Sequence, residues 1–362
     1  MTSERFFHVM LLACFGLSIA SPANAVSPDA SADDAVVWEE TCEDLPAVMY
    51  DACRREGDAH AATLAAAWRA FGKGYLHPLA EHLAESGDPR KLAIAANVWS
   101  STTDAPDARK VGRWRSQAFE NGGDDPVVAI LLQADMRSVD GLARRAQERW
   151  RASEPGNLLP AMRSGEPVEA LLARAGTFDR FSFHLQDLLS TIDAALASFP
   201  ADTVQRALLR DAELDIPSMS AEYALSWGVM ASPSFSPLVN ACKGDARHAT
   251  PTRNLECRQL GRVMLTHSDS LLGEMFGAAL LRYDDDPALR AERDAWRRRQ
   301  QWQWRSIREV GERNAGDCTP AKMRATPGLG EGDAIRACLT DAGIPLEPPA
   351  DWDPDASQSA AH

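Results

Sequence analysis

The sequence predicts an all-α protein, on three observations. Apolar residues recur at steps of three and four through most of the chain, the period of a helix with one buried face. Sustained apolar–polar alternation is absent and isoleucine is scarce, which leaves strands little support. Short breaks built on proline with Asp, Gly or Glu separate the periodic stretches, as expected of short helices packed as neighbours.

The chain opens like an export signal. A polar start with Arg5 precedes an apolar run from Phe6 to Ala20, and Ala23-Asn24-Ala25 has the small-x-small pattern cleaved before Val26. The apolar run is shorter than the roughly 20 residues needed to span a bilayer. Leu11-Leu12-Ala13-Cys14 is similar to a lipobox, making a lipoprotein the minor alternative. The expected organisation is a signal peptide over 1–25, a disordered start over 26–35, a helical array over 36–200, a second helical region over 201–345 and a disordered tail over 346–362. The expected location is the periplasm or the outside of the cell.

Within the array, Leu64, Trp68, Phe71 and Tyr75 form the first stripe. Leu92, Ala95 and Trp99 form the second, and Val111, Trp114 and Ala118 the third. Val127, Ile130, Leu131 and Ala134 continue the series, as do Leu142, Ala146 and Trp150, then Leu185, Leu188, Ile192, Leu196 and Phe199. The breaks are Gly87-Asp88-Pro89, Asp124-Asp125-Pro126, Glu154-Pro155-Gly156-Asn157 and Gly165-Glu166-Pro167. Their prolines are 37, 29 and 12 residues apart, so no strict repeat exists.

Residues Ala146 to Asn157, AQERWRASEPGN, carry a helix, a proline and a following asparagine. This resembles the end of a tetratricopeptide-like repeat, and the resemblance extends over residues 59 to 175. The family's Trp-x-x-Leu-Gly-x-x-Tyr opening is missing after Pro155, although Gly165 falls where its glycine would. The resemblance implies an array of short antiparallel helix pairs that presents surfaces to a partner. It carries no catalytic residue.

After about Asp202 the texture changes, with breaks at Asp215-Ile216-Pro217 and Ser232-Pro233-Ser234-Phe235-Ser236-Pro237. Leu272, Met275, Phe276, Ala279 and Leu280 give a further stripe. Beyond the signal the cysteines number six: Cys42, Cys53, Cys242, Cys257, Cys318 and Cys338. In an exported chain an even set reads as disulfides. Their grouping favours 42–53, 242–257 and 318–338, and a ring of about 15 residues is worth roughly 3 kcal/mol. A zinc site lacks both C-x-x-C and a histidine at ligand spacing. The segment between Cys242 and Cys257 has no apolar period and reads as a tethered surface loop.

Catalytic signatures are missing: neither H-E-x-x-H nor G-x-S-x-G occurs. Thr266-His267-Ser268-Asp269-Ser270 holds triad chemistries in sequence, but a triad needs spatial convergence, and Ser268 or Asp269 is better read as a helix cap. Glu85-Ser86 matches only a dipeptide of the lytic transglycosylases. The acidic runs 284–286 and 351–355 lack the spacing of a calcium loop. No cofactor or metal is expected. With a net charge of −14 the chain is a poor ligand for nucleic acid and suits a cationic protein partner.

One basic segment stands against that acidity. WRRRQQWQWR, residues 296–305, lies in a helix expected from Pro287 towards Asn314, where eight arginines from Arg290 to Arg313 face four acids. Leu289, Trp296, Trp304, Ile307 and Val310 share one arc and should pack inward. Arg297, Arg298, Trp302 and Arg305 lie on the outer face. They are the candidate binding surface, for anionic headgroups, envelope polymer or an acidic partner. The overall expectation is an exported, non-enzymatic helical protein that binds another protein. A surface binder through the Arg/Trp face and a helical cell-wall hydrolase or lyase are the alternatives.

Overall fold

The computed structural model describes residues 61–101, 107–134, 141–211, 232–313 and 331–352, together with 219, 223–224 and 226–228. The signal, Cys42, Cys53, Cys318 and residues 353–362 lie outside the described residues. Those described are helical, with no strand among them beyond two isolated bridges. They fall into two compact units, one drawn from Met1–Leu76 and Ala201–Met219, the other from His77–Pro200 and Ser220–His362.

In the first unit, α1 (Ala61–Phe71) runs into a π-turn over Gly72–Leu76. Leu64, Phe71 and Tyr75 are buried as the stripe requires, and Trp68 is half-buried with its ring 5.7 Å from Phe71. Gly74 lets α10 (Thr203–Asp211) approach, because a Cβ there would fall on Leu208. Gln205 Nε2 also donates to the Gly74 carbonyl at 3.1 Å.

The second unit begins with α2 (His77–Glu85), α3 (Pro89–Ser101), α4 (Ala108–Gly122), α5 (Pro126–Gln133) and α6 (Leu142–Ser153). Helices α3 and α5 are buried almost all round, and the stripes of α4 and α6 face inward, with Trp150 fully enclosed. The proline breaks work as helix starts: Asp125 accepts from Val127 N at 2.9 Å with Pro126 in the first turn. At the third break the cap is Asn157, whose Oδ1 accepts from Leu159 N. Arg90 pairs with Asp125 at 2.5 Å and reaches Thr191 at 3.2 Å, tying α3 and α5 to α9 (Leu185–Ala197). Between α6 and α9 lie the short α7 (Leu158–Arg163) and α8 (Val168–Ala173).

The C-terminal helices are α11 (Ser236–Ala241), α12 (Arg253–Thr266), α13 (Leu271–Leu281), α14 (Pro287–Arg313) and α15 (Glu331–Asp341). Cys242 and Cys257 form a disulfide. Cys338 is also disulfide-bonded. Between Cys242 and Cys257, residues 243–252 apart from Arg247 lie at the surface as expected of a tethered loop, and the tether is more than the disulfide. The segment contains a 3₁₀ turn over Gly244–His248 whose Arg247 is fully buried. Arg247 donates to Leu280 O (2.8 Å), Cys242 O (3.2 Å) and Asp284 Oδ2 (2.5 Å), and also to Asn254 Oδ1. An apolar-periodicity argument cannot detect an anchor made of one cation and four acceptors.

Two expectations about α13 and its neighbours are corrected. Its apolar face was expected on Leu272, Met275, Phe276, Ala279 and Leu280, yet of these only Leu280 is buried and Met275 is exposed. The buried face runs through Gly273, Glu274, Gly277, Ala278 and Leu281, because Gly277 brings the α13 backbone against Leu265 N and Gly261 O of α12. The α13 cap is Ser270, whose Oγ accepts from Gly273 N, leaving Asp269 for another role.

Candidate functional site

The arginine–tryptophan face of α14 is occupied by the chain itself. Helix α15 ends at Gly343 in a left-handed conformation (φ 70°), with Ile344 N bonded to Leu339 O, a turn that sends the following residues back along α14. Trp302 Nε1 donates to Pro345 O at 2.8 Å and Gln303 Nε2 to Leu346 O at 3.1 Å. Arg298 Nη2 reaches Pro349 O (2.5 Å), Ala350 O (3.1 Å) and Trp352 O (3.0 Å), with Nε on Trp352 O (3.3 Å). Arg299 pairs with Glu347 at 2.6 Å, and the Trp302 and Trp352 rings meet edge-on at 5.7 Å. Arg305 pairs with Glu309 one turn along at 2.9 Å, and Arg297 is exposed. Residues 346–352, expected in a disordered tail, are thus placed by hydrogen bonds to α14, which composition alone does not reveal.

The inner face of α14 also differs from the expected arc. Leu289, Ile307 and Val310 are buried, but Trp296 and Trp304 are half-buried and Gln300, Gln303 and Ser306 are buried with the aliphatics. The reason is Glu274 of α13. Its Oε2 accepts from Trp296 Nε1 and Gln300 Nε2, both at 2.9 Å, so these two donors are satisfied inside.

A second concentration of chemistry was not legible in the sequence. Residues 179–183 run extended between 156–158 and 267–269: Leu158 N donates to Arg180 O, Phe181 N to His267 O and Asp269 N to Phe181 O. Phe181 and Phe183 are buried beneath it. At its end His184 adopts φ 50°, ψ 35°, the positive-φ non-glycine position among the described residues. His184 Nε2 meets Glu154 Oε2 at 3.0 Å, and the same oxygen accepts from Trp150 Nε1 (2.8 Å) and Asn157 Nδ2 (3.0 Å). Burial works to raise the Glu154 pKa, but these donors outweigh it and bring the carboxyl to about 2. Burial likewise works to lower the His184 pKa, and the Glu154 bond and charge reverse it into a rise.

Across the segment, Asp269 Oδ2 accepts from Ser182 Oγ at 2.6 Å and Oδ1 from Phe183 N at 2.8 Å. Burial raises the Asp269 carboxyl despite those bonds. Glu331, at the start of α15, donates its N–H to Asp269 O at 2.8 Å and accepts from Leu271 N at 3.0 Å. Burial, with Glu274 and Asp269 nearby, pushes its carboxyl up to about 7.

This cluster holds a serine, a histidine and four carboxylates, but the pairing is that of a clamp. The Ser182 hydroxyl gives its proton to Asp269 and accepts from His184 N, while the His184 ring addresses Glu154. A nucleophile paired to an imidazole, the arrangement acyl transfer requires, is not formed by these groups. Among the described residues no group of three or more His, Cys, Asp or Glu is placed to hold a metal ion, and no helix is long and apolar enough to cross a membrane. No family model, curated protein or solved structure matches the chain.

Proposed function

We propose that this is an exported, non-enzymatic helical protein that binds another protein, and that the Arg298–Gln303 face of α14 is its contact surface. The single observation that carries the reading is that a polypeptide segment already lies along this face, held by side-chain donors aimed at main-chain carbonyls. A face that satisfies the main-chain carbonyls of one segment is suited to another. Export is supported by the Cys242–Cys257 disulfide, a bond that persists in oxidising compartments. The helical-repeat reading, an array of antiparallel pairs, is supported by the consecutive packing of α3 on α4, α5 on α6 and α12 on α13.

The reading as a binder of membrane or envelope polymer through free cations is weaker, since Arg298, Arg299 and Arg305 each engage an internal partner. The hydrolase reading is weaker too, because the Ser182 hydroxyl and the Asp269 carboxylate are committed to the clamp. The test is capture from an envelope extract by the mature, oxidised chain carrying Trp352→Ala to loosen the tail. A protein retained by that chain and lost when Arg298→Glu and Trp302→Ala are added supports the reading. Capture indifferent to those two changes, or turnover of peptide or cell-wall substrates by the purified chain, overturns it.

A further inference from the structure

The contact between α14 and residues 345–352 has the anatomy of a receptor with its ligand in place. Three prolines, Pro345, Pro348 and Pro349, fix φ near −65° and remove N–H groups, while the chain bends at Leu346-Glu347 and turns over Pro349–Trp352, where Trp352 N donates to Pro349 O at 3.1 Å. The carbonyls of Pro345, Leu346, Pro349, Ala350 and Trp352 are taken by Trp302, Gln303 and Arg298. Glu347 supplies the carboxylate that pairs with Arg299, and Trp352 the aromatic anchor. Recognition of proline-rich chains elsewhere uses two of the same elements, an aromatic wall and donors to carbonyls.

Two atoms show that the tail is an imperfect occupant. Trp352 Nε1 and Gln303 Oε1 are both buried, and neither has a hydrogen-bond partner among the described residues. A buried donor or acceptor left unmade weakens docking, because its hydration is lost without a replacement bond. The segment also leaves the fold without opening it, since the α15 turn closes before it at Gly343 and Ile344. Five of its eight residues, Pro345, Glu347, Pro349, Ala350 and Asp351, are exposed.

We infer that the α14 face is a binding site for proline-bearing acidic polypeptide segments that turn as residues 349–352 do, and that residues 345–352 act as a cis-bound competitor that a partner must displace. The inference rests on the protein-binding reading above and adds the class of partner and the regulation of the same face. The docked form of the partner is a segment with carbonyls at the tail's spacing, a carboxylate opposite Arg299 and an aromatic anchor lacking an N–H. A tethered competitor acts at an effective concentration on the order of millimolar, so the intact chain should bind such segments far more weakly than a chain whose tail is loosened.

The experiment uses the full mature chain, oxidised, and a fluorescein-labelled peptide IPLEPPADWD, residues 344–353. Fluorescence polarisation is read for the wild type, for Glu347→Ala with Trp352→Ala, and for that pair combined with Arg298→Ala or Trp302→Phe. Helix content by circular dichroism confirms that each variant is folded. The loosened chain should bind the peptide at least tenfold more tightly than the wild type. Arg298→Ala should remove at least tenfold of that gain, and Trp302→Phe, which deletes only the Nε1 donor, should remove part of it. A peptide carrying Trp352→Phe, which has no N–H to bury, should bind about fivefold or more tightly than the native sequence. Equal binding by wild-type and loosened chains, no binding at millimolar peptide, or binding indifferent to Arg298→Ala overturns the inference. If partner capture still depends on Arg298 while the peptide fails, the general reading stands and this one falls.

Discussion

Arg247→Met tests whether the segment between Cys242 and Cys257 is held by its disulfide or by its buried cation. The side chain is 0 % exposed and pairs with Asp284, also 0 % exposed. Replacement with methionine fills most of the space but leaves Leu280 O, Cys242 O and Asn254 Oδ1 without this donor. Asp284 is not stranded, because Arg258 still reaches it at 2.8 Å and Asp286 N at 2.9 Å. Breaking one partner of a buried pair typically costs about 3–5 kcal/mol, and the surviving Arg258 bond places the expectation at the lower end, about 3 kcal/mol. That equals the roughly 3 kcal/mol expected for a disulfide closing a 15-residue ring. Arg247→Lys should recover less than half, since one ammonium cannot span four acceptors. The assay is hydrogen–deuterium exchange of peptides covering 242–286, which reads local opening without requiring the whole chain to unfold at once. An Arg247→Met change below about 1 kcal/mol, with full opening on reduction of the wild type, would refute the reasoning.

Three further outcomes are expected. Gly277→Ala should destabilise by about 1–3 kcal/mol in urea titrations, because the added Cβ would sit 2.4 Å from Leu265 N, whereas Gly112→Ala, with open space around it, should stabilise by up to about 1 kcal/mol. Glu331 has a folded pKa raised to about 7 from 4.5, so its contribution is fully present below pH 4.5 and is lost as pH rises through 7; Glu331→Gln should leave stability unchanged at pH 4 and raise it by about 2–3 kcal/mol over wild type at pH 8. His184, with its pKa raised above 6.5, contributes most below that value and loses its contribution as pH rises through the folded pKa. His184→Asn, which tolerates the left-handed backbone but cannot carry charge, should therefore cost about 1–2 kcal/mol near pH 6 and less at pH 8 by the same titration.

The sequence made the helices legible where one face is apolar and the other polar. The stripes of α1, α4 and α6 and the proline-led start at Asp125-Pro126 were visible on those terms, and α14 begins at the expected Pro287. Helix α13 was not, because LLGEMFGAALL is apolar except for Glu274 and periodicity then has little phase; the signal available was Gly273 and Gly277, small residues four apart, the first against the Phe181 and Ser268 side chains and the second against the α12 backbone. The buried glutamines of α14 escaped because their acceptors lie far along the chain, Glu274 for Gln300 at 26 residues and Leu346 O for Gln303 at 43. The clamp joins Ser182 to Asp269 across 87 residues and His184 to Glu154 across 30, distances over which spacing rules carry no information.

An arginine-rich helix in a chain of net charge −14 cannot remain bare, since internal carboxylates and carbonyls are present at high effective concentration whatever else the protein meets. What decides the outcome is how well the internal occupant fits. On α14 the tail satisfies Arg298 four times over and still buries an indole N–H and an amide oxygen without partners. A segment selected only to cover this face would gain by replacing Trp352 with phenylalanine, which keeps the edge-on ring contact and removes the orphaned donor. On the competitor proposal, the unpaired Trp352 Nε1 holds the tail below the affinity this face can offer, and that deficit is the margin through which an external chain enters.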